Sequence, residues 1–599
     1  MAKSDQNIHK IFSSRLEQAK RHHRAGRLRE AESLFSKLLG EFGALPEAVA
    51  ELAAAAAEMG ETEAAVSLYR RALRIPPQRP QTLSAFGALL ARIGQGAEAI
   101  ALLRQALALS PNSPQLHYNL GKALAGSGNT LQAIASYQQA ISLDPKFVWA
   151  FTNLGNALAD LGRHEEASHA YRQAIRLAPS DAALWSNFLL SRQYAEAETA
   201  ETLFGASIGF EESVGLPLRK TWKAHANSRD AERILRVAFI SADLRRHPVG
   251  YFLEGVLAHL DPSKVAVRVY CDHRKDDDLT QRMRAHVPAW TVVDGMDDAA
   301  LAKRIREDEI DILIDLAGHT ASNRLRVFAM KPAPVQVSWM GYVSTTGLKA
   351  MDWIVSDRHQ IFPDEDRFYV EKVACLPNSW LCFTPPAEAP PPSRSPAIEN
   401  GFVTFGCFNN PVKLSQRTLR SWAALLADLP TARLLLRAQA FQSSERAEYF
   451  RSQMMAAGLD PSRLDVSPGL AHGDLLASYA QVDIALDPMA YSGGVTTLEA
   501  LWMGVPVVTL PGATFASRHS TSFLDTLGLN ELIASSEADY IAKAKGLAAD
   551  LARLQELRGE LRARMSASPL LDCKTFTRNL ETLLRDLWKH WCADVSSSR

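Results

Sequence analysis

A period of 34 residues runs through the first third of the chain and constrains its fold more than any other feature. One proline, one glycine and two alanines return at this step along the sequence. The four series are Pro77, Pro111, Pro145 and Pro179; Gly60, Gly94, Gly128 and Gly162; Ala65, Ala99, Ala133 and Ala167; and Ala72, Ala106, Ala140 and Ala174. Several positions that share one period indicate stacked copies of one supersecondary unit, because periods of about 20 to 50 residues are typical of repeat proteins.

The residue types in this period resemble those of the tetratricopeptide repeat, in which each unit is a pair of antiparallel helices. Gly26 and Ala31 lie one period before the series above. The sequence therefore predicts an extension over residues 1–14 and about five repeats over residues 15–183. Residues 184–233 are predicted to continue as helices that cap the array. Such a stack forms an α-helical superhelix whose concave face binds extended peptides, which predicts protein partners.

From residue 234 onward, short apolar runs alternate with amphipathic segments. The runs include LRVAFISAD, VAVRVYCD, IDILIDLAGHT and PVQVSWMGY, and later VTFGCFNN, ARLLLRA, RLDVSP, VDIALD and PVVTLPG. This alternation is typical of parallel strands with crossover helices. It predicts two Rossmann-like α/β domains, over residues 234–384 and 402–573, with a cleft at the carboxyl ends of their strands. The proline-rich residues 385–401 are predicted to form a linker without a helix, and residues 574–599 a C-terminal helix and tail.

Composition argues against several other functions. Basic and acidic residues number 66 each, so no polybasic field attracts nucleic acid or an anionic membrane. The six cysteines lack CxxC pairs and histidines at metal-ligand spacing, which predicts reduced thiols and no metal site. No stretch approaches the roughly 18 apolar residues of a membrane span, and the N-terminal segment lacks the apolar core of a signal peptide. These observations predict a cytoplasmic protein.

The densest group of candidate site residues follows the run VDIALD. There a turn with Gly493 and Gly494 precedes Thr496 and Thr497, which open a predicted helix that carries Glu499. Free amides and the positive end of the helix dipole favour phosphate at such a position, and glycines let the backbone approach it closely. The hydroxyls can add donors, and Glu499 can reach a ribose on that phosphate. A plain loop with a threonine cap explains the same residues, so phosphate binding stays open on spacing alone.

Further candidates lie at other predicted strand ends. Lys413 follows VTFGCFNN, where its cation can neutralise charge on a departing diphosphate. His247 follows the first strand and His319 follows IDILIDLAG, and a histidine can orient an acceptor or move a proton near neutral pH. Gly341 follows PVQVSWM, where the backbone can approach a sugar. The alternatives are a solvated lysine, structural histidines and a plain turn.

These motifs, in this order behind the repeats, resemble the nucleocytoplasmic protein O-GlcNAc transferases and the related SPINDLY-type protein O-fucosyltransferases. The motifs that carry the resemblance are HPVGYF, LAGHT, KPAPVQVSWMGY, VTFGCFNNPVK, GGVTTLEALWMGVPVVTLPG and ASR. The resemblance implies a GT-B fold and an inverting transfer of a sugar from a nucleotide donor to serine or threonine of a protein. It implies no metal and no other cofactor, and a donor that is UDP-GlcNAc or GDP-fucose.

The resemblance also implies roles for individual residues. Lys413 would hold the diphosphate, and Thr496 and Thr497 would cradle it. His247 and His319 would line the acceptor side of the cleft. The predicted catalytic residues are His247, His319 and Lys413, and the predicted donor-binding residues are Asn410, Lys413, Gly493, Gly494, Thr496, Thr497, Glu499, Gly341 and Arg518.

The repeats carry their own candidate contact row. Asn119, Asn153 and Asn187 recur at the 34-residue step, at a position that lines the inner face of the superhelix in the animal enzymes that the chain resembles. Amide side chains can bond the backbone of an extended acceptor peptide without reading its side chains. Ala85 interrupts the row one unit earlier. Alternatively, each asparagine only satisfies groups within the repeats.

Three functions remain open on sequence. The favoured one is transfer of GlcNAc from UDP-GlcNAc to protein hydroxyls, with protein O-fucosylation from GDP-fucose as its alternative. A scaffold with decayed catalytic domains is the second, and the joint presence of the candidate site residues argues against it. A GT-B enzyme that acts on a small molecule, with repeats that serve oligomerisation, is the third.

Overall fold

The computed structural model describes residues 2–594, and side chains from Lys10 onward. It divides into two compact units, one that extends to Ala157 and one that begins at Leu158. Among the described residues, no helix has the length and apolarity needed to cross a membrane.

The first unit consists of helices joined in pairs by glycine turns. Its helices are Ala2–Arg24, Leu28–Phe42, Pro46–Glu58, Thr62–Leu73, Pro80–Arg92, Gly96–Leu109, Pro114–Gly126 and Thr130–Leu143, with Val148–Ala159 across the boundary between the units. Each pair turns at a glycine with a φ angle of 73° to 86°, a left-handed conformation that favours this residue. These glycines are Gly26, Gly60, Gly94 and Gly128. The glycine series in the sequence therefore marks the turns within the pairs.

The predicted N-terminal extension is not a separate segment. Residues 2–14 belong to the first helix, Ala2–Arg24. Phe12 is only 2% exposed and packs in one cluster with Leu16, Leu38 and Leu52. The repeat structure therefore begins earlier than the glycine and alanine series indicates, because an apolar helix face needs no small residue to pack.

The second unit opens with helices that continue the repeat pattern. They are His164–Leu177, Ala182–Arg192 and Ala200–Phe210, followed by the π-helical turn Glu211–Gly215 and the short helices Leu216–Leu218 and Arg219–Thr221. The predicted capping helices therefore exist, but helix ends at Thr221. Residues 222–234 are irregular, so the prediction of helix up to residue 233 is wrong at its end.

A seven-stranded parallel sheet forms the core of the first α/β domain. Its strands are β1 (Leu235–Ser241), β2 (Val265–Cys271), β3 (Ala289–Val292), β4 (Ile312–Asp315), β5 (Val335–Ser338), β6 (Trp353–Ser356) and β7 (Lys372–Cys375). They are ordered β3-β2-β1-β4-β5-β6-β7. The helices between them are Pro248–His259, Asp278–Ala285, Asp298–Glu307, Leu325–Ala329 and the 3₁₀ turn Asp366–Phe368.

A five-stranded parallel sheet forms the core of the second α/β domain. Its strands are β8 (Thr404–Cys407), β9 (Arg433–Ala438), β10 (Leu464–Pro468), β11 (Ile484–Leu486) and β12 (Val507–Val508), ordered β10-β9-β8-β11-β12. Its α-helices are Gln416–Ala427, Ser444–Ala456, His472–Ser478, Val495–Trp502, His519–Thr526, Glu537–Ala549, Leu551–Ser566 and Cys573–Ala593. Its 3₁₀ turns are Pro411–Lys413, Gln439–Gln442, Pro461–Arg463, Tyr479–Gln481, Phe515–Ser517 and Asn530–Leu532. Because β8, β11 and β12 are parallel neighbours, the loops after them converge at one edge of the sheet.

Two segments outside the sheets bear on the predicted domain plan. The linker contains a short helix, Pro396–Asn400, which the sequence analysis excluded; proline is tolerated there because it occupies the first helical position. The C-terminal helix Cys573–Ala593 returns to the first α/β domain, where Glu581 Oε1 accepts from Asp261 N at 2.6 Å.

Candidate functional site

Lys413 lies at the centre of the loops that follow β8 and β11. It ends the 3₁₀ turn Pro411–Lys413, and its Nζ donates to Asn409 Oδ1 at 3.2 Å and to the carbonyl oxygen of Ser492 at 2.9 Å. The same Nζ lies 4.4 Å from the centre of the Tyr491 ring. Burial lowers the pKa of Lys413 to about 8, although the nearby Asp487 and Cys407 act to raise it. Its direct contacts are thus neutral oxygens and an aromatic face, which leave the charge available to an anion.

The glycine turn after β11 leads directly into the helix Val495–Trp502. Gly493 N donates to Asp487 Oδ1 at 2.7 Å, and a Cβ on Gly493 would come within 2.3 Å of Thr497 Oγ1, so only glycine fits. A Cβ on Gly494 would meet nothing within 4 Å, which leaves open space beside the first turn of the helix. The amides of such a first turn lack partners within the helix. This end of the helix therefore has the geometry of an anion site next to Lys413.

The two threonines of this helix differ in what their hydroxyls contact. Thr496 is half-buried, and its Oγ1 donates to Asn409 Oδ1 at 2.9 Å, the oxygen that also accepts from Lys413. Thr497 is 2% exposed, and its Oγ1 lies 2.8 Å from Ser520 Oγ. The hydroxyl of the half-buried Thr496 thus shares a partner with Lys413. The hydroxyl of Thr497 is engaged inside the protein, contrary to the expectation that both would cradle a diphosphate.

The sequence analysis missed several residues of this site. Asn409 binds both Lys413 and Thr496, whereas the predicted Asn410 is exposed and its side chain caps the turn by accepting from Val412 N at 3.3 Å. The sequence FNN indicated that an asparagine follows the strand into the site, but it did not show which of the two points inward. Asp487, Tyr491 and His519 were also missed.

Asp487 and His519 set the electrostatics beneath Lys413. Asp487 is 2% exposed and accepts from Thr509 Oγ1 at 2.7 Å, and burial raises its pKa to about 6. Burial, followed by the charge of Lys413, lowers the pKa of His519 to about 3. His519 is therefore neutral at physiological pH, so it adds no second cation. Asp487 is the last residue of VDIALD and His519 directly follows ASR, so position in the sequence pointed toward both.

Glu499 pairs with a histidine from another loop of the same domain. It is 3% exposed, and its Oε1 accepts from His472 Nε2 at 2.7 Å. This bond raises the pKa of His472. The other ring nitrogen, Nδ1, lies 3.5 Å from the hydroxyl oxygen of Tyr251, which belongs to the first α/β domain. To bind a ribose, Glu499 therefore has to share its hydrogen bond with His472 or give it up. Tyr251 links the two α/β domains at this point.

His247 lies where the sequence analysis predicts, after β1 and at the start of the helix Pro248–His259. Its side chain is 36% exposed, and Nε2 lies 3.8 Å from Asp243 Oδ1. Burial lowers the pKa of His247; Asp243 opposes this effect and Arg245 adds to it. A neutral and partly exposed imidazole can accept a proton near pH 7.

His319 does not face a cleft as predicted. It is 1% exposed, and both ring nitrogens are bonded, Nδ1 with Ser186 Oγ at 3.0 Å and Nε2 with the carbonyl oxygen of Thr346 at 2.9 Å. Burial lowers its pKa to about 4. This geometry favours a structural role, in which a neutral imidazole joins the loops after β4 and β5 to the helix Ala182–Arg192.

Two predicted donor-binding residues also have structural explanations. A Cβ on Gly341 would lie 2.0 Å from the carbonyl oxygen of Leu316, so this glycine serves the close packing of two loops. Arg518 is 3% exposed and makes a bidentate pair with Glu365, at 2.6 and 2.8 Å. Because Glu365 belongs to the first α/β domain, Arg518 ties the two domains together, and its guanidinium is already engaged.

The predicted asparagine row is hydrogen-bonded between successive repeats. Asn119 Nδ2 donates to Ser84 Oγ at 2.9 Å, and Asn153 Nδ2 donates to Tyr118 Oη at 3.1 Å. Asn187 is also half-buried. These bonds fit the alternative in which the amides satisfy groups of the array, and the acceptor-binding role stays a prediction.

Comparison with known proteins identifies the family. Residues 209–383 and 394–580, more than half of the chain, match Glycosyl transferase family 41. The chain belongs to glycosyltransferase family 41. Tetratricopeptide repeats match residues 16–80, 87–128, 127–162 and 148–181. The predicted resemblance, the enzyme class and the order of repeats followed by α/β domains are thus confirmed.

Two relatives of this chain carry related names. A "Probable UDP-N-acetylglucosamine--peptide N-acetylglucosaminyltransferase SPINDLY" of Solanum lycopersicum is 39% identical over 419 residues, which are 69% of this chain and 45% of that protein. The UDP-N-acetylglucosamine--peptide N-acetylglucosaminyltransferase of Caenorhabditis elegans is 25% identical over 64% of this chain and 44% of its own length. The chain thus spans less than half the length of these relatives.

A solved structure covers more of the chain. A mutant O-GlcNAc transferase of Thermobaculum terrenum superposes with a TM-score of 0.78 and 34% identity, over 86% of this chain and 99% of its own. Similarity over nearly the whole of that structure supports the same order of repeats and α/β domains along both chains.

Proposed function

We propose that this protein is a protein O-glycosyltransferase that transfers GlcNAc from UDP-GlcNAc to serine or threonine hydroxyls, with inversion at the anomeric carbon. One observation carries the proposal. Lys413 contacts neutral groups through its Nζ and lies beside the open first turn of the helix Val495–Trp502, which is a receptor for the diphosphate of a nucleotide sugar. The names of the family 41 relatives support the choice of sugar and of a peptide acceptor.

The residues suggest how the reaction proceeds. The acceptor oxygen attacks the anomeric carbon, the bond from that carbon to the β-phosphate oxygen breaks, and its electron pair leaves on the diphosphate. Lys413, with the amides of Val495 and Thr496, stabilises the charge that develops there. The acceptor proton passes to a base, for which His247 is our candidate because its lowered pKa keeps it neutral.

The role of His247 has its own test. His247→Ala should lower kcat about 100-fold while donor affinity stays unchanged, since general-base catalysis contributes about 10² to 10⁴ in rate. His273→Ala provides a matched change of a half-buried histidine that follows a neighbouring strand, β2. Unchanged turnover in His247→Ala would eliminate the imidazole as the base.

The proposal includes neither a metal nor another cofactor, because Lys413 and the helix amides supply positive charge at the diphosphate. Turnover in excess EDTA should equal turnover without it. The repeats are proposed to bind the acceptor protein, and six cysteines without a disulfide fit a reducing, cytoplasmic location.

A donor panel with mass spectrometry of the products tests the function. UDP-GlcNAc, UDP-glucose and GDP-fucose are each incubated with a cell-extract protein mixture and wild type, Lys413→Ala or the control Lys545→Ala, which changes a lysine paired with Asp428. We expect GlcNAc on serine or threonine with wild type and the control only. Transfer from GDP-fucose would overturn the sugar, and donor conversion without protein would indicate a small-molecule enzyme. Failure to bind any donor at millimolar concentration would favour a scaffold.

A further inference from the structure

The loop that carries Lys413, residues 409–415, is held from outside its own domain, by the repeat-like helices of the second unit. The turn at Gly162 and the ring of His164 contact this loop directly, and the ring of Tyr194 contacts Tyr491, whose ring faces the lysine. We propose that His164 and Tyr194 are positioning residues for Lys413, which makes the end of the repeat array a part of the diphosphate site. This inference rests on the proposed function of Lys413.

His164 fixes the backbone next to the lysine. It is 5% exposed and begins the helix His164–Leu177, and its Nε2 lies 2.8 Å from the carbonyl oxygen of Val412. A carbonyl only accepts, so Nε2 carries the proton. Nδ1, which lies 3.2 Å from Ser191 Oγ, is then the acceptor. Burial lowers the pKa of His164, which favours this neutral form.

The same imidazole reaches the ammonium through a column of rings. The rings of His164 and Tyr194 are stacked, with centres 5.1 Å apart and planes at 18°. Tyr194 stacks in turn on Tyr491, at 4.7 Å and 18°. Tyr491 in turn faces Lys413 Nζ, which lies 4.4 Å from its ring centre, and meets the ring of His519 edge-on at 5.8 Å. His164 therefore constrains Lys413 twice, through the peptide before it and through the ring that its ammonium faces.

The Gly162 turn adds a contact that the repeat period does not require. A Cβ on Gly162 would lie 3.8 Å from the carbonyl oxygen of Val412 and 4.0 Å from that of Leu414, so the turn packs on the lysine loop. Gly60 and Gly94 lie three and two periods before Gly162 in the same series. An added Cβ at either glycine would meet nothing within 4 Å. The turn at Gly162 thus supports the site, whereas the turns at Gly60 and Gly94 have no such neighbour.

Support of this kind matters because the Lys413 loop is a single 3₁₀ turn whose backbone bonds, such as Lys413 N to the carbonyl oxygen of Asn410 at 3.0 Å, fix its local shape but not its position against the rest of the site. Asn410 Oδ1 caps it through Val412 N, and the lysine must still be held close to its productive position, since displacements of about 1 Å are costly in sites that act by orientation. His164 contacts Val412, and Tyr194 contacts Tyr491. They act through Val412 and Tyr491.

Inorganic pyrophosphate is the probe for the test, because it reports on the diphosphate site whatever the nucleobase. Calorimetry compares His164→Leu with His164→Gln, which keeps an N–H for Val412, and Tyr194→Leu with Tyr194→Phe, which keeps the ring. We expect about tenfold weaker binding for both leucine variants and a change within about twofold for the conservative ones, as for one lost hydrogen bond or ring contact of about 1.4 kcal/mol. His169→Leu, an exposed position on the same helix, should bind as wild type.

The outcomes separate this inference from the proposed function. If Lys413→Met binds pyrophosphate like wild type, the diphosphate site itself is wrong. If Lys413→Met is impaired while both leucine variants bind normally, the positioning role is overturned. Equal losses in His164→Gln and His164→Leu would overturn the hydrogen bond to Val412. Thermal melts accompany each variant, and if His164→Leu does not fold, the Tyr194 pair decides between these results.

Discussion

Two half-buried lysines, one in each α/β domain, are held in opposite ways. Lys331 Nζ donates to the carbonyl oxygen of Ala350 at 2.9 Å and pairs with Asp352 Oδ2 at 2.5 Å. Lys413 has only neutral direct partners. Burial lowers the pKa of both lysines, so both carry the cost of a poorly solvated charge. The charge of Lys331 is compensated by Asp352 within the protein, so this lysine serves the structure. The charge of Lys413 is left for a ligand to compensate.

The largest expected effect is the loss of sugar transfer when Lys413 is replaced. Lys413→Met should lower sugar transfer about 1000-fold, because it removes the cation that stabilises the departing diphosphate. Its free energy of unfolding should change by less than about 1 kcal/mol, since no carboxylate loses its ion-pair partner. Transfer assays and denaturant unfolding measure the two quantities. A variant that keeps transfer but loses stability would reverse the comparison.

Lys331→Met should show the converse pattern. We expect the free energy of unfolding to fall by about 2 to 3 kcal/mol, because Asp352 is left without its cation while its Oδ2 still accepts from Gln336 N. Donor affinity should equal that of wild type. Asp352→Asn combined with Lys331→Met should recover part of the loss in urea unfolding. A double variant as unstable as the sum of the single variants would show that the pair is not coupled.

Glu499 extends the comparison to a buried carboxylate that already has a hydrogen-bonded partner, His472. If it contacts the ribose as predicted, Glu499→Gln should weaken UDP binding about tenfold, the loss of a hydrogen bond to a charged group. Pyrophosphate affinity should stay within about twofold. Calorimetry with both ligands gives the two numbers. Equal losses for UDP and pyrophosphate would mean that Glu499 supports the diphosphate site instead.

The smallest effect tests what sets the pKa of Lys413. The titratable groups around its ammonium are Asp487, Cys407, His519 and Tyr491. Asp487 raises the pKa of Lys413, so Asp487→Asn should lower the pH at which pyrophosphate binding begins to weaken to below about 8. The amide oxygen of asparagine can still accept from Gly493 N. An unchanged pH midpoint would show that burial alone sets the pKa.

Much of the fold could be predicted because its signals are local. Glycine at each 34-residue step marks a turn with positive φ, and β-branched runs mark the central strands. The strands β3, β6 and β7 were missed, because they lie toward the edges of the sheet, where the apolar signal is weak.

The candidate site was predictable only to the level of loops. The sequence places Lys413, Gly494 and Thr496 at strand ends, and the structure brings them together. The sequence could not show which of Asn409 and Asn410 points inward. It also could not show that the polar atoms of His319 are engaged by Ser186 and Thr346, and those of Arg518 by Glu365. Those partners lie 27 to 153 residues away in the chain, so no local pattern reveals them.

The pH dependence of pyrophosphate binding, measured by calorimetry in wild type and Lys413→Met, tests the central claim most directly. Below a pKa of about 8 the lysine is charged and binds the anion; above it, the neutral amine predominates. We predict for wild type an affinity that is constant below about pH 8 and then falls toward about tenfold per pH unit. For Lys413→Met we predict weak binding without this break. The same break in both proteins, or equal affinities, would contradict the account.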